Sequence, residues 1–145
     1  MAGKFKFSLD KLLDLRREKE EESKRLFTES QREKRKLEEK IENLRNNYDK
    51  YKGINDHEDI VYQKLKRYYV QGLQMGIKTA QDDLVTKNLE VDKRRRELIQ
   101  KQIERKTVET LKEKKYEAYI KEEQRIEQIN LDELALYAFI RNKSN

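Results

Sequence analysis

Residues 79–141 read TAQDDLVTKNLEVDKRRRELIQKQIERKTVETLKEKKYEAYIKEEQRIEQINLDELALYAFIR, a run of more than sixty residues without proline or glycine. Charged side chains crowd it, and a sparse apolar stripe (Leu84, Leu98, Ile103, Leu111, Ile126, Ile129) threads through them. A continuous helix rises about 1.5 Å per residue, so this stretch alone would reach roughly 90 Å. A compact domain of this size offers no such width, so the helix needs a partner of matching length. The charged, proline-free segment from Leu9 to Lys52 supplies one. The predicted fold is all-α: a long antiparallel two-helix coiled coil with a short helical tip, formed by helices over residues 8–52, 56–75 and 79–141.

Composition supports elongation. Charged residues make up 44% of the 145-residue chain and hydrophobic ones 34%, far from the averages of about 25% and about 45–50% in globular domains. Such a chain is one folding unit at most and lacks the apolar surface for a compact core. Proline is absent and only four glycines occur, which with sustained periodicity favours helices over disorder. The lack of cysteine excludes disulfides and thiolate chemistry and fits a reducing compartment. No apolar run approaches the twenty or so residues of a spanning helix, so the expected location is cytoplasmic.

The first helix has a readable start. Ser8 is placed to cap it, Asp10 puts negative charge in the first turn, and Phe7 and Leu12 have the spacing of a hydrophobic staple. Steps of three and four give positions 9, 13, 16, 20, 23, 27, 30, 34, 37, 41, 44, 48 and 51. Eight of these thirteen are apolar, and Arg16, Glu20, Ser23, Ser30 and Lys34 make a weak middle. Gly53 reads as a C-cap, Asn55 and Glu58 as a capping box, Gly72 and Gly76 as a break, and Thr79-x-x-Asp82 as a new start. In the last helix Val85, Leu89, Ile99 and Ile103 hold a heptad phase, with Ile126, Ile129, Leu136 and Ile140 in a shifted one, which predicts stutters. Leu131 to Ile140 carries too many apolar groups for one seam. One side is expected to pack on Phe5, Phe7, Leu9, Leu12 and Leu13, leaving the other for a partner or a second copy.

Catalysis finds no support in the residues. The single histidine, His57, sits among Asp56, Glu58 and Asp59 without converging metal ligands. No cofactor motif is present, and two helices form no pocket to shift a carboxylate pKa. The basic run Lys93-Arg94-Arg95-Arg96 is interrupted by acids and points around the helix, which argues against nucleic acid. Near the tip, Leu37, Ile41, Leu44 and Tyr48 are spaced 4, 3, 4, and Tyr69, Leu73, Gly76 and Ala80 repeat that spacing. This is either the intramolecular seam or, in part, a docking face.

The opening Phe7-x-Leu9-x-x-Leu12-Leu13-x-Leu15-Arg16-x-Glu18 and the ending Glu127-Gln128-x-x-Leu131-Asp132-Glu133-x-Ala135 resemble the bacterial flagellar export protein FliJ family. The resemblance implies a non-enzymatic stalk in the flagellar type III protein export apparatus, serving flagellum biogenesis and so motility and chemotaxis. Its implied partners are the hexameric export ATPase FliI, the export-gate membrane protein FlhA, and export chaperones. It would sit at the cytoplasmic face of the cell membrane as a peripheral component. Carried onto this chain, Phe7, Leu12, Leu134, Tyr137 and Phe139 would form the ATPase-binding end. Leu37, Ile41, Leu44, Tyr48, Tyr69, Leu73 and Ala80 would form the gate-binding surface. The alternatives are a stalk of a virulence type III injectisome and a generic or nucleic-acid-associated coiled-coil scaffold.

Overall fold

The computed structural model describes residues 3–53 and 55–144. Two helices, α1 (Asp10–Tyr51) and α2 (Ile60–Lys143), pair antiparallel as a hairpin, with no strand among the described residues. By packing, the chain divides into two units, Met1–Lys19 with Gln102–Asn145 and Glu20–Lys101.

In the Glu20–Lys101 unit, the buried and half-buried positions of α1 are 20, 23, 27, 30, 34, 37, 41, 44, 48 and 51 with few additions. They match the expected three-and-four stepping, polar members included. Ser23 and Ser30 are buried, and the Ser30 hydroxyl donates to the Phe27 carbonyl at 2.7 Å. That bond satisfies a group that would otherwise be costly to bury. The matching seam of α2 runs through 66, 70, 73, 77, 80, 84, 87, 91, 94, 98 and 101 without a stutter.

Three expectations fail here. Val85, Leu89, Ile99 and Ile103 are exposed, Leu89 by 67%, so they are not the α2 seam. Lys87, Arg94 and Lys101 occupy seam positions instead; their aliphatic stems can lie along the interface while the charged heads reach water. The second failure is the break between a tip helix and a final helix. α2 runs unbroken through Gly72, Gly76 and Thr79, because a helical glycine costs only about 1 kcal/mol. Buried Leu73 and Ala80 flank these positions and pin the helix to α1. The third concerns the loop. No described glycine has positive φ, so Gly53 forms no left-handed cap. Asn55 and Glu58 instead shape a turn: Glu58 N donates to Asn55 O (3.1 Å), and His57 N to Asn55 Oδ1 (3.2 Å). α2 therefore begins at Ile60, where the Asp59 carbonyl accepts from Gln63 N at 2.9 Å.

In the terminal unit, Phe7, Leu13 and Val108 form a buried cluster with Phe5 and Leu12 packed against it. α1 starts at Asp10, two residues after Ser8, with the Leu9 carbonyl taking the first helical bond from Leu13 N at 2.9 Å. Asp10 pairs across to Lys112 (2.9 Å), and Arg16 Nη1 donates to the Glu104 carbonyl (2.9 Å). The Phe5 ring meets Tyr116 edge-on at 5.3 Å and Tyr119 at 5.5 Å, and the Tyr119 hydroxyl donates to the Gly3 carbonyl.

Candidate interaction surfaces

The residues expected at the export gate converge, but on the seam. Ile41, Leu73 and Ala80 are buried, while Leu37, Leu44 and Tyr48 are half-buried. A Cβ on Gly76 would meet the Leu44 methyl at 3.8 Å, so α1 and α2 approach closely there. Gln74 Nε2 donates to the Tyr48 hydroxyl at 3.4 Å, and the Tyr69 ring meets Tyr51 edge-on at 5.3 Å. Tyr69 remains about half exposed at the rim. Leu37 also opens onto a groove of about 530 Å³ with Lys36, Lys40, Asp83 and Thr86. On the same groove Lys87 lies between Glu33 (2.5 Å) and Glu90 (2.8 Å). Hydrogen bonding to Glu33 and then Glu90 raises the Lys87 pKa, and the bond from Lys87 holds the Glu90 carboxyl below its ordinary value.

The residues expected at the ATPase end fall into two groups that do not meet. Phe7 and Leu12 belong to the buried cluster of the terminal unit. Leu134, Tyr137 and Phe139 stand exposed on α2, Tyr137 by 68%. Tyr119, whose hydroxyl bonds the N-terminal segment at Gly3, lies fifteen positions before Leu134, or roughly 22 Å along a helix. The expected packing of the C-terminal apolar groups onto Phe5, Phe7, Leu9, Leu12 and Leu13 is therefore absent. Asp10 already pairs with Lys112, so α1 begins opposite that point and leaves the end of α2 uncovered. From Lys121 to Ser144 only Glu123 is even half-buried. Ile126, Ile129, Leu136 and Ile140 fall at the same heptad positions as Arg105, Val108 and Lys112. They extend the seam in register, without the shifted phase expected, on a stretch that α1 does not reach. Leu131, Leu134, Tyr137 and Phe139 add apolar surface around the remaining circumference, as expected.

The sequence profile of one family, described as Flagellar FliJ protein, matches residues 5–144. The chain belongs to the FliJ family. Comparison with curated proteins and with solved structures gave no significant match.

Within this FliJ-family chain the opening motif contributes Phe7, Leu12 and Leu13 to the buried cluster around Val108, whereas the closing motif lies on the uncovered end of α2. The basic run is partly spent on local pairs: Arg94 bonds Glu97 and Arg95 bonds Asp92, each at 3.2 Å. Arg95 also lies over the Phe27 ring, 5.6 Å from its centroid. His57 is exposed, and no group of metal-ligating side chains assembles among the described residues. No helix there is long and apolar enough to cross a membrane. Sequence reasoning missed one surface: Val61, Leu65, Tyr68 and Met75 are all strongly exposed on α2. Their spacing was available as a signal, because they step by four, three and seven on the side of α2 opposite the true seam.

Proposed function

We propose that this FliJ-family chain is a non-enzymatic stalk and coupling component of the flagellar type III export apparatus. Its uncovered α2 end enters the central opening of the hexameric ATPase FliI and promotes ring assembly. The observation that carries this reading is the exposed seam and apolar collar from Ile126 to Ile140. Helical surface of that kind stabilises nothing within the chain and gains burial only against another protein. Leu134, Tyr137 and Phe139 make the contact, while Phe7 and Leu12 anchor the base from which the end of α2 emerges.

The gate protein FlhA is met in the other unit, along Leu37, Ile41, Leu44 and Tyr48 with Tyr69, Leu73 and Ala80. Support comes from the groove at Leu37 and the Tyr48–Tyr69 rim; buried Ile41, Leu73 and Ala80 fix the spacing of that rim. Both contacts place the protein at the cytoplasmic face of the membrane through its partners, with export chaperones as further clients. Purified chain added to the export ATPase of the same bacterium tests the reading. Faster ATP hydrolysis and a shift of the ATPase to hexamers are expected; no change in either contradicts it.

A further inference from the structure

Beside the loop, the side of α2 that faces away from its seam is apolar and uncovered. Val61, Leu65, Tyr68, Gly72 and Met75 step by four, three, four and three, so they form a stripe opposite the seam residues Lys66, Val70, Leu73 and Ile77. Tyr68 is 74% exposed and Met75 72%, with Val61 and Leu65 close behind. Single exposed apolar residues are ordinary, but a contiguous heptad-spaced stripe marks a contact surface. Gly72 lies in the middle of it. A Cβ there would meet nothing within 4 Å, so no packing within the chain accounts for a residue that costs the helix about 1 kcal/mol. Bare backbone at that point lets a second helix approach closely.

Charge selects the occupant. No acidic residue occurs between Ile60 and Gln81, while Lys64, Lys66, Arg67 and Lys78 are basic. Lys66 is engaged by Glu58 at 3.3 Å; Lys64, Arg67 and Lys78 have no ion pair among the described residues. A second copy laid on this face would set those cations against their own counterparts, which disfavours self-pairing. We propose that this stripe docks an acidic amphipathic helix of a partner protein. The partner's apolar face lies on Val61, Leu65, Tyr68 and Met75 over Gly72, and its carboxylates meet Lys64 and Lys78, which share the heptad position bordering the stripe. This surface is separate from the two assigned above and stands or falls independently of them.

The test uses the full chain and two designed helical peptides with one shared apolar face, flanked by glutamates or by lysines, read by fluorescence anisotropy at about 0.15 M ionic strength. The glutamate-flanked peptide should bind at least about tenfold more tightly than the lysine-flanked one. The L65E/M75E variant should lose that binding with circular dichroism unchanged, since both sites are exposed. The K64E/K78E variant should invert the preference between peptides. Absent binding, equal affinity for both peptides, or binding that survives L65E/M75E would overturn the proposal. So would a self-associated chain that L65E/M75E converts to monomer, because a second copy would then own the face.

Discussion

Two stretches of this chain carry apolar side chains in opposite circumstances. Leu37 to Tyr48 with Tyr69 to Ala80 lies along a seam in which Ile41, Leu73 and Ala80 are buried. Leu131 to Ile140 has every large apolar side chain more than half exposed. Composition alone would bury the wrong one, because the exposed stretch is the more apolar; the presence or absence of a facing helix decides. In the first, apolar burial has already been used to hold the hairpin, and a binding partner finds only its rim. In the second the same type of burial is still available to a partner.

The two stretches differ most in what they contribute to stability. Leu73→Ala should cost about 2–4 kcal/mol through lost burial and the cavity left behind. Leu134→Ala should stay within about 0.5 kcal/mol, as surface changes do. Chemical denaturation of the two variants checks the contrast, and equal losses would mean that the end of α2 is covered after all. Next in size, Tyr137→Ala with Phe139→Ala should weaken ATPase binding by about tenfold or more, in the manner of aromatic anchors, with little change in melting. Titration of the variant against the ATPase measures it. Gly72→Ala should stabilise the helix by roughly 0.5–1 kcal/mol, since its new methyl meets open space. A lower midpoint instead would show that the glycine is needed within the chain.

The smallest effect belongs to the cluster at the Leu37 groove. Glu90 has a lowered pKa in the folded chain, so its contribution is present above the ordinary carboxylate range and fades as pH falls through the folded value. Lys87 is raised, so its share is present below the ordinary lysine value and fades only as pH climbs past it. Partly exposed pairs of this kind contribute at most about 1 kcal/mol. Glu90→Gln should therefore slightly flatten the acid limb of a stability–pH curve and leave neutral stability nearly unchanged.

The α1 seam was legible because stepping by three and four is geometry, indifferent to whether Ser23, Ser30 or Lys34 occupies a step. On α2, reading by apolar identity selected Val85, Leu89, Ile99 and Ile103, which face outward. The true seam hides behind Lys87, Arg94, Lys101 and Arg105, whose side chains read as solvent-facing. The glycines at 72 and 76 look like breaks until the packing of Leu73 and Ala80 is weighed against their cost. The end of α2 was recognised as apolar on too many sides, but its full exposure depends on register. That register is set where Asp10 meets Lys112 and Phe5 meets Tyr116, contacts between residues about a hundred positions apart in sequence.

The most direct measurement compares the full chain with one ending at Asn130 in a reconstituted export ATPase assay, with circular dichroism and melting followed in parallel. Stimulation should disappear while the melting midpoint holds and helix content falls only by the residues removed, because no described contact of the hairpin uses them. Undiminished stimulation by the shortened chain would contradict the assignment of the α2 end as the ATPase-binding element.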